Sequence, residues 1–188
     1  MQEQHLALFE TAIGPCAIVW GGRGLVGVQI PEATEAATRA RMLKRFPAAQ
    51  EVAPPSDIQN VIEGMRALLE GERRDLANVA IDDEGIPEFN RRVYAIVRKV
   101  PPGETITYGE IAERLGDKTL ARAVGQAMGE NRCPIVMPCH RVLAASGKSG
   151  GFSAPGGVVT KLKLLTIEGA QPGGPTLFDD LPLAARRR

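Results

Sequence analysis

Cys139 closes an apolar stretch that begins at Pro134, in the run Pro138-Cys139-His140-Arg141-Val142. A thiol attacks an electrophile as its thiolate. An imidazole next in sequence can take the proton, and Arg141 within a basic segment favours the anion. The two flanking prolines fix the backbone rather than add bulk. Neighbouring residues on an extended chain point to opposite sides, so His140 is expected to reach Cys139 through a water or a bend. A third group should orient the imidazole. Glu168, just after the last apolar helix at 161–167, is the candidate. On composition alone Cys139 also fits a buried packing role, the role expected for Cys16 and Cys133.

A second group of residues points to a surface that another molecule approaches. The segment 108–130 divides into two short helices, 108–115 and 119–130, around the turn Gly116-Asp117-Lys118. This is the spacing of a helix-turn-helix. At 100° per residue, Leu120, Val124, Ala127 and Met128 share an apolar arc, while Arg122, Gly125, Gln126 and Gly129 occupy the opposite one. Glycine inside a helix costs about 1 kcal/mol relative to alanine, so two on an exposed arc imply close approach of a partner to the backbone. Arg122 would then project into that partner as a phosphate contact or a wedge. Many helical hairpins with a glycine turn bind nothing, and a slack helix with an ordinary surface arginine is the alternative.

The runs ARAVGQAMGEN at 121–131, PCHRV at 138–142, FSAPGG at 152–157 and IEGA at 167–170 together resemble the O6-alkylguanine-DNA alkyltransferases, the methylated-DNA-protein-cysteine methyltransferase family. The resemblance is close over 88–170 and loose before it. It implies a DNA repair protein that binds the minor groove of double-stranded DNA, flips the damaged nucleotide, and moves the alkyl group of O6-alkylguanine irreversibly onto Cys139. O4-alkylthymine is a second candidate substrate. The thioether has no exit, so each molecule would act once. Carried over by position, His140 and Glu168 form a water-linked proton relay and Asn131 braces the active-site turn. Arg122 fills the gap left by the flipped base, and Tyr108 presses on the phosphate 3′ to it. Ala121, Gly125, Gln126 and Arg141 complete the DNA face, and Met137, Phe152 and Ser153 join Cys139 around the guanine pocket.

One position departs from the family pattern. A tyrosine hydroxyl there assists protonation of the departing base, whereas this chain carries Phe152 in a segment about two residues longer than the usual Tyr-x-Gly-Gly. Ser153 or loop N–H groups are expected to compensate in part. Some relatives hold zinc in the N-terminal half, but with His5 and His140 as the chain's histidines and no cysteine pair, neither metal nor other cofactor is expected. Three readings compete. A non-catalytic lesion-binding relative would usually replace the cysteine. An alkylation-sensing regulator would need an effector or dimer domain, and a cysteine hydrolase would need a dyad that adjacent residues rarely form.

The elements that must position these groups follow from the remaining pattern. Strands are expected at 6–11, 16–20 and 24–30, forming a three-stranded antiparallel meander, with a further strand at 76–81. Helices are expected at 34–46, 56–70 and 88–100. The expected fold is α/β of the α+β type. It has a ribonuclease H-like domain at 1–85, a mostly helical domain with the helix-turn-helix at 86–170, and a tail at 171–188 whose Leu177-Phe178-Asp179-Asp180-Leu181 is a candidate docking motif for an unidentified partner.

The 188 residues are 44% hydrophobic and 24% charged, which excludes a disordered polymer and a disulfide-stapled miniprotein. No run is long and apolar enough to span a membrane, and no export signal is visible, so a cytoplasmic monomer is expected. Three cysteines without a CxxC pair fit a reducing compartment. The net charge of +1 hides an asymmetry. Residues 1–110 hold 12 Lys and Arg against 16 Asp and Glu, whereas 111–163 hold 8 against 3, a basic segment suited to phosphates.

Overall fold

The computed structural model describes residues 3–170, so the 177–181 motif lies outside the described residues. Strand β2 (Cys16–Gly21) pairs antiparallel with β1 (His5–Phe9) on one side and β3 (Gly24–Gln29) on the other. Alternation along these strands feeds two faces. Cys16, Ile18 and Trp20 join Val28 and Ile30 against helix α2 (Ser56–Leu69), through Ile58, Ile62, Met65 and Leu68. Ala17, Val19 and Leu6 face helix α1 (Glu35–Arg45) through Met42. Thr34 starts α1 by accepting the Ala37 N–H at 3.1 Å.

Two expectations change here. The sheet has four strands, because β4 (Gln50–Glu51) adds parallel to β1 in the order β3-β2-β1-β4. Its two exposed polar residues carry no apolar alternation that could have announced it. The expected strand at 76–81 reduces to a single bridge between Leu25 and Ile81, held by Leu25 N–H to Ala80 O at 2.9 Å and Asp82 N–H to Leu25 O at 2.8 Å. Gly24 makes this approach possible. Its φ is +123°, and a Cβ there would sit 2.5 Å from Ala80 O.

The second half builds its own core. Helix α3 (Glu88–Val97), strand β5 (Ile106–Thr107), helix α4 (Tyr108–Arg114) and helix α5 (Ala121–Gly129), preceded by a 3-10 turn at Lys118–Leu120, enclose Val93, Val97, Ile111, Val124, Ala127 and Met128. Thr107 and Glu110 cap α4 reciprocally, with Glu110 N–H to Thr107 Oγ1 at 3.1 Å and Thr107 N–H to Glu110 Oε2 at 2.7 Å. Helix α5 is anchored on α3 by Tyr94 Oη–H to Ala127 O at 2.8 Å and Asn90 Nδ2 to Glu130 Oε2 at 2.7 Å.

Between α5 and the last helix the chain serves both halves. Cys133, Ile135 and Val136 enter the core under the sheet, whereas Met137, Cys139 and Val142 enter the helical one. Residues 134–138, the apolar stretch expected above to be extended, form a tight loop instead. Met137 N–H bonds Cys133 O at 2.8 Å, and Cys139–Arg141 is a 3-10 turn. Strand β6 (Val142–Leu143) then pairs parallel with β5, and helix α6 (Gly157–Ile167) returns Leu164 to the sheet core.

Tyr94→Phe should therefore lower unfolding stability by about 1 kcal/mol, the usual worth of one buried hydrogen bond. It should leave the fold intact and raise amide exchange along α5. Urea denaturation followed by hydrogen exchange checks both.

Candidate functional site

The turn that carries Cys139 is organised from Asn131. Its Nδ2 donates to Met137 O at 3.0 Å and to Cys139 Sγ at 3.1 Å, while its Oδ1 accepts the Cys133 N–H at 2.9 Å. One amide thus clamps three points of the loop and holds the sulfur. Within the loop Ile135 has φ +74°, a left-handed conformation that β-branched residues rarely adopt, and its side chain is 1% exposed. Such backbone costs on the order of 1–3 kcal/mol and persists only where the surroundings hold it. Here burial on the sheet and the Asn131 clamp do so.

Behind the turn lies a buried ion network. Glu168, the residue after α6, accepts His140 Nε2–H on Oε1 at 2.8 Å, Arg141 Nη2 on Oε1 at 2.7 Å and Arg141 Nε on Oε2 at 2.9 Å. Arg141 also donates through Nη1 to Val100 O at 2.6 Å, and the Gly103 N–H reaches Glu168 Oε2 at 3.4 Å. Burial alone would raise the Glu168 pKa, but the bonds and charges of His140 and Arg141 outweigh it and hold the group at about 2. Burial pushes the His140 pKa below its ordinary value against the pull of Glu168, so the imidazole is neutral near pH 7. With its Nε2–H given to the carboxylate, its Nδ1 is the unprotonated atom, and it has no hydrogen-bond partner among the described residues.

Burial also pushes the Cys139 thiol up, more than the Asn131 amide, the Lys161 charge and the N–H groups of Cys139 and His140 pull it down. The resting sulfur is a thiol, and it needs a base. This corrects the expectation that Arg141 and its basic surroundings hold a thiolate. The expected placement of Arg141 on the DNA face changes with it, because its side chain is buried against Glu168.

Lys161, which sequence reasoning passed over, is a buried cation whose charge acts on the sulfur. It is fully buried in α6, donates to Val142 O and to Gly151 O at 3.4 Å, and lies 5.9 Å from the Tyr108 ring centroid. Burial brings its pKa down to about 8. A lysine inside VVTKLKLL was the available signal.

Tyr108, at the start of α4, is half-buried. A Cβ on Gly125 would stand 4.0 Å from its ring and one on Gly150 2.9 Å, so Gly150 (φ +67°) lets the 148–152 segment close over it. On the outer arc of α5, Arg122 and Gln126 are exposed, and Ala121 and Gly125 are partly so. Phe152 packs partly buried against both cores, and Ser153 Oγ lies 3.4 Å from Gly129 O. A cleft of about 260 Å³ reaches Cys139 from the surface between Asn131, Pro134 and Ser153. Among the described residues there is no cluster of three or more His, Cys, Asp or Glu that could hold a metal, and no helix long and apolar enough to cross a membrane.

Residues 88–170 match the family described as 6-O-methylguanine DNA methyltransferase, DNA binding domain. The methylated-DNA-protein-cysteine methyltransferase of Mycobacterium tuberculosis (strain H37Rv) is 34% identical over 176 residues, 93% of this chain and 99% of that protein. This chain belongs to the methylated-DNA-protein-cysteine methyltransferase family. The crystal structure of M. tuberculosis OGT in complex with DNA superimposes with a TM-score of 0.71 at 32% identity, covering 88% of this chain and 92% of that one. A DNA base-flipping protein of Thermus thermophilus is 40% identical over 112 residues, 58% of this chain and 72% of that protein. Membership makes this an α+β DNA-repair methyltransferase whose acceptor is a protein cysteine.

Glu168→Ala should destabilise the protein by about 3–5 kcal/mol at neutral pH, because it strands Arg141 and His140 in the interior. Folding depresses the Glu168 pKa from 4.5 to about 2. The stabilisation is therefore complete above the ordinary carboxylate range and is lost as the pH falls through that interval. Thermal unfolding of wild type and variant should show the gap narrowing there.

Proposed function

We propose that this chain repairs O6-alkylguanine in double-stranded DNA by moving the alkyl group to Cys139 in a single, irreversible turnover. O4-alkylthymine is a second substrate of the same chemistry. The observation that carries this reading is the geometry of one sulfur: Cys139 Sγ, held by Asn131 at 3.1 Å, lies at the end of a cleft. His140 adjoins it, with Nε2 bound to Glu168 at 2.8 Å.

The thiol proton passes to His140 Nδ1 through one water, and Glu168 stabilises the imidazolium that forms. The sulfur then attacks the alkyl carbon. The new C–S bond takes the sulfur's electron pair, the C–O6 bond breaks toward the purine, the base takes up a proton from water to leave as guanine, and the imidazolium returns the thiol's proton to water. Lys161 and the Asn131 amide stabilise the developing thiolate, lowering the barrier without holding a reactive anion at rest. Ser153 and the N–H groups of its loop supply hydrogen bonds toward O6 where the family's tyrosine would stand.

The helix-turn-helix of α4 and α5 brings DNA to this cleft, with Ala121, Gly125 and Gln126 on the approaching face. Arg122 enters the stack vacated by the flipped base, and Tyr108 presses on the neighbouring phosphate. Exposure of the α5 arc, its two glycines and the base-flipping relative support these roles. In this reading residues 86–170 bind and react, while 1–85 buttress the acceptor loop. The site is complete within one chain, consistent with a monomer, and three free buried cysteines suit the reducing cytoplasm.

Incubation with duplex DNA carrying radiolabelled O6-methylguanine tests the reading. Label should appear on the Cys139 peptide in a one-to-one limit, and Cys139→Ala should abolish transfer while still binding the DNA. Label on Cys16 or Cys133, or repeated turnover, would refute it. Phe152→Tyr restores a donor and should raise the single-turnover rate at saturating DNA about tenfold to a hundredfold, the worth of one good transition-state hydrogen bond. An unchanged rate with the fold intact would assign the proton donor to Ser153 or the loop backbone.

A further inference from the structure

The cleft at Cys139 extends well beyond the sulfur. Its inner part is bounded by Pro134, Cys139 and Ser153, and its outer part is rimmed by Arg41 and Arg45 from α1 and by Arg132 after α5. Its volume of about 260 Å³ exceeds the roughly 150 Å³ that suffices to enclose a benzene ring. A methyl group needs none of this space. The two residues by which the 152–157 segment outruns the family pattern add to the same wall, since Ala154 and Pro155 line it.

The rim is a concentration of positive charge. Arg45 donates to Val28 O at 3.3 Å, Gln29 Oε1 at 3.4 Å and Arg132 O at 3.3 Å, all neutral acceptors. The exposed Arg132 forms no ion pair among the described residues, and Arg41 pairs with Glu32 at 2.9 Å. Glu130 also reaches the cleft, but its Oε2 is engaged by Asn90. Burial, with the charges of Arg41 and Arg132, pushes the Arg45 pKa down, as expected where like charges crowd one opening.

We propose that the arginine rim of this cleft selects O6-substituents that end in a carboxylate. The inference rests on Cys139 as the alkyl acceptor. In the displacement the sulfur, the carbon attacked and O6 lie on one line, so everything else on that carbon must branch sideways into the space beside the sulfur. A rigid aromatic spacer then carries an acidic end outward to the guanidinium groups, which bind carboxylates with charge-assisted hydrogen bonds.

The test compares two free-base probes, O6-benzylguanine and O6-(4-carboxybenzyl)guanine, which contain no phosphate. The wild-type chain should react about tenfold faster with the carboxylated probe, as one charge-assisted contact allows. The double variant Arg41→Gln, Arg132→Gln should bring that ratio close to one while methyl transfer from O6-methylguanine duplex DNA stays unchanged. A wild-type ratio of one or less, or failure with both probes while methylated DNA is repaired, would overturn the proposal. So would slowed repair of methylated DNA in the double variant, because the rim would then serve the DNA backbone. Failure of the wild type on methylated DNA would instead refute the acceptor reading itself.

Discussion

A single buried carboxylate holds the reactive region together. Glu168 follows α6 and receives bonds from both residues after Cys139 and from the corner at Gly103. Two segments distant in sequence converge on it, and each would leave a buried polar or charged group if it moved away. The arrangement also sets chemistry. By accepting the Nε2–H, Glu168 decides which imidazole nitrogen stays free, and by neutralising Arg141 it keeps that charge out of the thiol's surroundings. Stability and tautomer are therefore two results of one interaction.

Short contacts tie helices α4 and α5 directly to the turn that carries Cys139. Strand β5 runs into the capped start of α4, and β6 leaves the turn of Cys139 and pairs with β5. Helix α5 leads through Asn131 into the loop that ends at Cys139. The strained Ile135 backbone shows how firmly this loop is held, since an unfavourable left-handed residue survives only against surroundings that oppose relaxation. In the proposed reading a nucleotide presented by α5 meets a sulfur whose position is already fixed.

The residues at the centre were legible because each lies in a short dense run: Asn131 after the glycine-bearing helix, Cys139 and His140 between proline and valine, Glu168 after the last apolar helix. The two faces of α5 followed from helical spacing alone, and burial of Val124, Ala127 and Met128 agrees with it. What stayed hidden was decided by distant partners. Arg141 reads as surface charge until Glu168 is found beside it, 27 residues away. Lys161 reads as a helix surface residue until its carbonyl acceptors are seen. Strands of two residues, such as β4, β5 and β6, are too short for alternation to register.

The raised pKa and deep placement of Cys139 bear on how a single-use reagent survives in a cell. Peroxides and diffusible electrophiles attack thiolates that are exposed, and the oxidation of cysteine begins from that form. A neutral thiol with 9% of its surface accessible offers them little. In the proposed mechanism the proton leaves when His140 can take it and a carbon bearing a leaving group stands against the sulfur, so Cys139 is preserved for the lesion instead of being lost to background oxidation.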